Sequence, residues 1–349
     1  MQDRVYGARW ALDYGSIKEM HETNELKNSS QNDRLLVTFF LFSYNQEKYI
    51  EEACKAALAQ TYAPLEIIFS DDCSFDRTFE LIEKVVQDYV GPHKIKLNRN
   101  QKNLGLIGHV NKSFEISSGD LIVAAAGDDI SVPERVQCLA DAYVRNERKP
   151  LVIHSNATKI DDLNTTQGAF VPPVIDCPMN LAELAACRSL YIGATGAWSK
   201  ALYTDFGPIL FTDAYEDLVL GFRAAIKDSL LYLDKPLVRY RVNVGLSAKT
   251  VIPVLKIKAR IAIRIKHLKN AHDVYAQRLN DLSKVSELDK DRSIRAMLIR
   301  NINSRNKKIL FYRNPFFLFL HVFSKDFIGT IRSLISEIKY LFGLINYSA

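Results

Sequence analysis

Three pairs of adjacent acidic residues carry the most distinctive chemistry in this sequence. Asp71–Asp72 and Asp128–Asp129 each follow an apolar run, and Glu216–Asp217 opens a segment with helical spacing. Neighbouring carboxylates repel each other and lose solvation near a core, so each pair requires a compensating group. Clustered carboxylates attract a hard divalent cation, the hydrogen-bond donors of a ligand, or both. The alternative is structural: one acid caps the next helix or complements the helix dipole, and its neighbour is solvated.

The elements that must position these acids alternate along the chain from residue 35 to residue 157. The apolar, β-rich runs are LLVTFFL, LEIIFS, KIKLN, LIVAAA and LVIHSNA, and segments with helical spacing lie between them at 48–60, 78–90, 109–117 and 133–145. This alternation is typical of βαβ units and a parallel sheet. Ligands of such sheets bind beyond the carboxyl ends of the strands. We therefore expect Ser43–Tyr44–Asn45, Asp71–Asp72 and Asp128–Asp129 at one edge of one sheet.

The usual backbone cradles for phosphate are missing from the sequence. It contains neither GxxxxGK[ST] nor a strand–GxGxxG–helix arrangement, the two common phosphate-binding patterns. A nucleotide diphosphate at the acidic edge would be repelled unless Mg²⁺ or Mn²⁺ bridged the two. Mg²⁺ is often held by one or two carboxylates plus substrate phosphates. The acid pairs therefore favour a divalent metal that carries the phosphates of a nucleotide.

Composition and charge place further bounds on the chain. Its 349 residues have a net charge of +6, yet Lys256 to Arg313 alone carry 16 Lys or Arg and 5 Asp or Glu, so the rest is acidic by a net −5. The five cysteines are scattered without CxxC, and the seven histidines show no HxxxH or HExxH. These patterns favour reduced thiols in a cytoplasmic protein and exclude a typical zinc site. The opening residues do not resemble a secretory signal, and the longest apolar runs are too short to span a bilayer.

Four motifs, in their order and spacing, resemble the family 2 glycosyltransferases. They are SYNQEKYIEEACKAALAQTYAPLEIIFSDDCSFDRT, NQKNLGLIGHVNKSFEISSGDLIVAAAGDDISVPERV, AYEDLVLGFRAAI and VRYRVNVGLSAK, and they lie within residues 35–250. The resemblance implies an α/β GT-A type nucleotide-binding sandwich with a mainly parallel central sheet. It divides the chain into a polar N-terminal extension at 1–33, a transferase domain at 34–250 and a basic, aromatic-rich helical extension at 251–349.

The resemblance also assigns roles in binding a nucleotide-sugar donor. Tyr44 would stack on the nucleotide base, with Ser43 and Asn45 shaping the loop around it. Asp72 would accept hydrogen bonds from the base or ribose. Asp129 would bind Mn²⁺ or Mg²⁺, with Asp128 beside it on the ribose or the metal. Further residues implied in donor binding are Asn103 and an arginine, Arg241 or Arg239, which would pair with the diphosphate.

The resemblance also implies that Asp217, the second acid of the pair Glu216–Asp217, is the catalytic residue. Asp217 would take the proton of an acceptor hydroxyl as its oxygen attacks the anomeric carbon, so that one displacement inverts the configuration. Glu216 would position the acceptor or Asp217. Trp198 would form an apolar platform for a sugar ring, or else pack in the core.

Three departures from the family pattern qualify this picture. Ala126 replaces the first acid of the D-x-D-D stretch, which leaves the ligand set of the metal open, and Asn243 stands where the family often has His. The QxxRW motif and the membrane spans of processive synthases are also missing. The resemblance therefore implies a non-processive enzyme that adds one sugar to a glycan or lipid-linked acceptor, in O-antigen, capsule or lipopolysaccharide biosynthesis.

The sequence after residue 228 predicts two further features. SLLYLDKPLVRYRVN predicts a pair of strands, and the chain beyond Pro253 predicts helices that interleave Ile, Leu and Phe with Lys and Arg. Such helices favour peripheral contact with an anionic membrane surface through residues 254–345, at the inner face of the membrane. Packing on the transferase domain or on a second subunit is the alternative. Nothing resembles a module that reads nucleic-acid bases.

Two other functions stay open from the residues alone. A nucleotidyltransferase on a similar sheet would usually show a glycine-rich first loop with a basic signature, which SYNQEKY lacks. A non-catalytic binding protein of the same fold is favoured by Ala126 and opposed by the retained Asp217.

Overall fold

A computed structural model describes residues 34–171, 180–244, 257–285, 292–314 and 335–341. The predicted N-terminal extension at 1–33 lies outside these residues. The chain divides into two compact units, and the second unit contains the residues from Lys249 onward together with Ile209–Tyr215. Sequence analysis had placed this last segment in the transferase domain.

The first unit alternates strands and helices as the hydrophobic pattern predicts. Its strands are β1 (Val37–Ser43), β2 (Leu65–Asp71), β3 (Lys94–Arg99), β4 (Leu121–Ala126), β5 (Ile130–Ser131), β6 (Val152–Ile160), β7 (Thr166–Phe170), β8 (Ala197–Ser199) and β9 (Leu230–Arg241). Its helices are α1 (Ile50–Leu58), α2 (Thr78–Gln87), α3 (Gly105–Ile116), α4 (Arg135–Arg145), α5 (Leu181–Ala186), α6 (Lys200–Phe206) and α7 (Glu216–Ala225), with a 3-10 turn at Gly193–Thr195.

All nine strands form one sheet in the order β3-β2-β1-β4-β8-β6-β9-β5, with β7 paired to β6. The β3-β2-β1-β4 half is parallel, and β6 and β9 are also parallel to each other. The short strands β5, β7 and β8 pair antiparallel. The predicted α/β class with a mainly parallel central sheet is confirmed.

The register of the central strands places the polar residues at their carboxyl ends along the same edge of the sheet. Phe39 lies beside Ile67 on one side and Val123 on the other, and all three side chains are fully buried. The same register sets Ser43 opposite Asp71 at the carboxyl end. Buried apolar pairing in the strand interior therefore places the polar residues that follow β1, β2 and β4 at a common edge.

The predicted pair of strands after residue 228 is wrong. β9 is a single strand that runs unbroken through Asp234, Lys235 and Pro236. Its parallel register to β6 shifts between Ser155 and Asn156, where Leu233 and then Pro236 are the paired residues. The polar residues and the proline are accommodated as an irregularity of a strand, which is where a sheet tolerates proline.

The described residues after 256 are helical, as predicted. They form α8 (Ile257–Leu282), α9 (Arg292–Arg313) and a short helix at 335–341. Fully buried Glu337 joins all three: it accepts two hydrogen bonds from Arg264 (2.7 Å each), one from Tyr312 (2.8 Å), and pairs with Lys308 (2.9 Å). Burial alone would raise the pKa of Glu337, but these donors lower it to about 2.

None of the helices in the described ranges has both the length and the apolar character needed to cross a bilayer. Most of the aromatic-rich segment at 314–345 lies outside the described residues.

Candidate active site

The loop after β1 is held by polar contacts and presents one aromatic ring to solvent. Ser43 is buried and donates its hydroxyl to the carbonyl of Ser70 (3.1 Å), so it shapes the loop from below. Asn45 has a positive φ of 50°, and its N–H donates to Ser74 Oγ (2.8 Å). Tyr44 between them is 42% exposed. The arrangement leaves the Tyr44 ring accessible for stacking.

The loop after β2 is tied to the loop after β1. Asp71 is fully buried and accepts hydrogen bonds from the N–H and the hydroxyl of Ser74. Asn45 Oδ1 accepts the N–H of Phe75 (3.1 Å). Asp71 therefore has a structural role, which was the alternative interpretation of the acid pairs. It holds the loop after β2 and does not cap a helix.

Asp72 has a structural role that the sequence did not indicate. Its buried carboxylate accepts hydrogen bonds from Asn100 Nδ2 (2.8 Å) and from the N–H groups of Leu104 and Gly105 (2.9 Å each). It therefore caps α3, more than thirty residues away in sequence, and not the helix at 78–90. Asn103 is exposed in the same loop and accepts the Gly105 N–H (2.8 Å).

Asp128 and Asp129 follow β4, and each is largely withdrawn from water. Asp129 is buried, and its Oδ1 accepts the N–H of Arg241 (2.8 Å). Burial raises the pKa of Asp128, and burial together with repulsion from Asp128 raises the pKa of Asp129 well above its usual value. The positive charges of Arg135 and Arg241 act in the opposite direction without offsetting this. The pair is therefore short of positive charge.

The structure opposes the predicted contact between Arg241 and a diphosphate, because the Arg241 side chain is only 1% exposed and four of its five guanidinium N–H groups donate within the protein. It donates to the carbonyls of Asp128 (3.0 Å) and Asp161 (2.7 Å), to Glu52 (3.0 Å) and to Asn164 (2.8 Å). Its side chain also lies over the Tyr49 ring, 4.6 Å from the centroid. Arg241 therefore has a structural role: its guanidinium holds the Asp128 carbonyl, and its N–H holds the Asp129 carboxylate.

The residues present fit a divalent cation held jointly with a ligand. No group of three or more His, Cys, Asp or Glu side chains within the described ranges is arranged to hold a metal alone. Asp128 and Asp129 supply two carboxylates whose raised pKa values indicate missing positive charge. Ala126 offers no ligand atom. Two carboxylates plus phosphate oxygens are a common environment for Mg²⁺ in nucleotide sites.

Glu216 and Asp217 form the first turn of α7, as the sequence predicted. Asp217 Oδ1 accepts the N–H of Leu218 (2.7 Å). Burial, and then the charge of Asp217, raise the pKa of Glu216 to about 8. Glu216 therefore keeps its proton at neutral pH.

The turn at Gly193–Thr195 links the two acid pairs. Gly193 lies directly against the Glu216 carboxylate, and a Cβ there would require the Glu216 side chain to shift. On its other side the turn is bonded to β4, because the Ala124 N–H donates to the Gly196 carbonyl (3.0 Å). Fully buried Arg135 reinforces the link by donating to the carbonyls of Ala124 (2.7 Å) and Ala194 (2.9 Å).

The predicted role of Trp198 as a sugar platform is wrong. Its side chain is 1% exposed and stacks on Phe114, with ring centroids 5.7 Å apart. Its Nε1 donates to the hydroxyl of Tyr191 (3.0 Å), which satisfies the indole N–H in the core. This is the core-packing alternative.

Sequence reasoning missed Arg135 and Phe75. Arg135 stands at the start of a helix in the string PERV, where nothing distinguishes a buried arginine from a solvated one. Phe75 stands in a polar loop, and its 85% exposure is visible only in the structure.

Comparison with known proteins agrees with this geometry. Residues 38–169 match the family model "Glycosyl transferase family 2". The chain is 28% identical over 147 residues to a putative glycosyltransferase, EpsE, of Bacillus subtilis, covering 42% of this chain and 51% of EpsE. It is 30% identical over 142 residues to an Escherichia coli UDP-Glc:alpha-D-GlcNAc-diphosphoundecaprenol beta-1,3-glucosyltransferase, WfgD, covering 40% of this chain and 53% of WfgD. The chain thus spans about half the length of these relatives.

Solved structures with low sequence identity share the fold. S. aureus TarS in complex with UDP superposes with a TM-score of 0.52 at 17% identity, covering 81% of this chain and 75% of that one. The mannosyltransferase PcManGT from Pyrobaculum calidifontis, in complex with GDP-Man and Mn²⁺, gives a TM-score of 0.50 at 14% identity, covering 88% and 85%. Residues 38–169 therefore belong to a family 2 glycosyltransferase domain, and the fold of this chain is of the GT-A type.

Proposed function

We propose that this protein is an inverting, metal-dependent glycosyltransferase that moves one sugar from a nucleotide-sugar donor to a hydroxyl of a glycan or lipid-linked acceptor. The observation that carries the proposal is the pairing of two acid sites through one turn. Burial raises the pKa values of Asp128, Asp129 and Glu216, Gly193 of the turn lies against Glu216, and Arg135 donates both to Ala124 in β4 and to Ala194 in the turn.

Donor binding is assigned to the carboxyl edge of β1, β2 and β4. Tyr44 would stack on the base, since its ring is accessible on a loop fixed by Ser43 and Asn45. Asp72 and Asn103 would border the base and ribose. Three acceptor positions of Asp72 are already filled by the protein, so any contact with the donor uses the remaining one.

The acid pair after β4 would hold the metal. Asp129 and Asp128 would bind Mn²⁺ or Mg²⁺, whose bound charge stabilises the diphosphate that leaves. The backbone N–H of Arg241 holds the Asp129 carboxylate, and its guanidinium holds the Asp128 carbonyl.

The catalytic base would be Asp217. The raised pKa of Glu216 favours its protonated form beside Asp217, and Asp217 would accept the proton of the acceptor hydroxyl. Glu216 would position the acceptor or Asp217 through hydrogen bonds in which its protonated carboxyl can donate.

The acceptor and setting are proposed from the relatives and the charge of the chain. WfgD is named for a diphosphoundecaprenol-linked acceptor, which supports a lipid-linked acceptor and cell-surface polysaccharide synthesis here. The basic residues between Lys256 and Arg313 support peripheral contact with the inner face of a membrane from the cytoplasm. A homo-oligomer formed through the C-terminal helices is the competing use of these residues.

The test of the function is Asp217→Asn, compared with Asp120→Asn, a conversion at the opposite end of β4. Wild-type protein is first screened against UDP- and GDP-sugars for donor hydrolysis with Mn²⁺ and after chelation. We expect Asp217→Asn to lose transfer and hydrolysis on the order of 10²–10⁴-fold, with UDP or GDP affinity unchanged, and Asp120→Asn to match wild type. Near-normal turnover of Asp217→Asn would remove the base assignment, and activity that survives chelation would remove the metal.

A further inference from the structure

Phe75 is unusually exposed for an aromatic residue at the candidate active site. Its side chain is 85% exposed, although it lies on the loop between β2 and α2, at the same edge as the acid pairs. An exposed aromatic ring at the mouth of a site is a feature of ligand-contacting surfaces, because its apolar area gains from being covered.

The loop that carries Phe75 is firmly fixed. The Phe75 N–H donates to Asn45 Oδ1 (3.1 Å). Ser74 on one side is held by buried Asp71, and its carbonyl accepts Arg99 NH2 (3.0 Å). Asp76 on the other side accepts the Glu47 and Thr78 N–H groups (3.1 and 3.0 Å). The exposed position of the ring is therefore set by the backbone, and a ligand would meet it without a cost of ordering the loop.

Phe75 and Tyr44 stand edge to face. Their ring centroids lie 6.4 Å apart at an interplanar angle of 86°. Two rings at a right angle form an apolar corner, and Tyr44 at 42% exposure leaves part of its ring open to that corner. The corner offers a face for stacking and a second wall against the edge of a flat ligand.

We propose that Phe75 is a specificity-determining residue that contacts the nucleobase of the donor together with Tyr44. This inference rests on the proposed function, in which Tyr44 stacks on that base. A nucleobase is flat and uncharged, as the corner requires, whereas sugar and phosphate groups suit the acids of the neighbouring loops. An isoprenoid chain of the acceptor is the competing occupant and is separated by the experiment.

The experiment measures equilibrium binding of UDP, GDP and inorganic pyrophosphate, each with Mn²⁺, to the full chain. The variants are Phe75→Ala, Phe75→Tyr and Tyr44→Ala. Val90→Ala is the matched control, because Val90 is 99% exposed and follows α2, at the opposite edge of the sheet. Thermal unfolding checks that each variant is folded.

We expect Phe75→Ala to weaken binding of the nucleotide that wild type prefers by about tenfold, at the low end of what one aromatic contact to a base contributes. Phe75→Tyr should restore the affinity, since it keeps the ring. Pyrophosphate binding should be unchanged in every variant, and Val90→Ala should match wild type throughout.

Three outcomes would overturn the inference. Unchanged nucleotide affinity of Phe75→Ala, with Tyr44→Ala weakened, removes Phe75 alone and leaves the proposed function intact. Unchanged nucleotide affinity of Phe75→Ala, with weakened binding of vesicles that carry an isoprenoid diphosphate, measured alongside, assigns the ring to the acceptor. Failure of wild type to bind either nucleotide removes the proposed function as well.

Discussion

Several buried carboxylates fall into two groups, according to whether hydrogen-bond donors lower the pKa that burial would raise. Glu66 and Glu337 are buried, but hydrogen-bond donors lower the pKa of each below its usual value. Asp128, Asp129 and Glu216 are also withdrawn from water, yet the pKa of each is raised. Acids with raised pKa values lie only at the candidate active site among the described residues. Raised pKa values that internal hydrogen bonds and charges do not offset are the pattern expected of groups at a functional site.

The raised pKa of Glu216 predicts a specific pH dependence of stability. Between its ordinary pKa of 4.5 and about 8 the folded chain keeps a proton that the unfolded chain releases, so the contribution of Glu216 to stability falls as pH rises through this window. Glu216→Gln cannot ionise. It should therefore gain stability relative to wild type on going from pH 5 to pH 8, by about 1 kcal/mol or more, the value of one pKa unit.

Urea denaturation at the two pH values measures this difference. Glu66→Gln is the control with the opposite sign: the lowered pKa of Glu66 means that its carboxylate contributes stability above pH 4.5, and this variant should be less stable than wild type at pH 8. A Glu216→Gln difference that does not change between pH 5 and pH 8 would contradict the assignment of the proton to Glu216.

Among the elements, β9 connects the fold to the acid pair after β4. β9 ends at Arg241, whose N–H binds Asp129 and whose guanidinium reaches Glu52 on α1 and Asn164 in the turn between β6 and β7. One side chain thus joins three elements behind the proposed metal site. The strand does this by running unbroken through Pro236, where sequence analysis had predicted a pair of strands.

Replacing Arg241 tests whether its side chain stabilises the fold or binds the phosphates of the donor. Arg241→Met should lose about 3 kcal/mol of stability, because it leaves buried acceptors without donors. Arg34→Met is the control, since Arg34 is exposed and donates to the Ala63 carbonyl (3.1 Å). Urea denaturation measures both. An Arg241→Met variant as stable as wild type, with weakened binding of pyrophosphate, would favour the phosphate contact instead.

At the scale of the whole molecule, part of the basic charge of the C-terminal region is paired or buried within that region. Arg264 and Lys308 are paired with Glu337, and Arg278 is fully buried. Lys258, Lys266 and Arg300 are exposed. Exposed residues such as these can attract an anionic surface and the buried ones cannot, so the count of charges in the sequence overstates the charge available for binding.

The exposed lysines of α8 provide the test of membrane contact. We expect the full chain to float with anionic liposomes, and the double variant Lys258→Glu, Lys266→Glu to lose at least about tenfold in binding, at about 1 kcal/mol per basic residue near such a surface. The control is Lys102→Glu, an exposed lysine of the first unit. Equal flotation of both variants and wild type would remove the membrane proposal.

The sequence alone determined the order of strands and helices, the parallel central sheet, the edge at which the acid pairs lie, and the position of Glu216–Asp217 at the start of a helix. These follow from local patterns: hydrophobic period, strand length and the rule that polar residues end a buried strand. Tertiary structure decided which polar groups are free. Asp72, Arg241 and Trp198 look like ligand-binding residues in sequence, yet they bond or stack with distant segments of the chain, Trp198 with Phe114. Whether a side chain faces a ligand or another part of the protein depends on contacts between residues far apart in sequence, which local patterns do not encode.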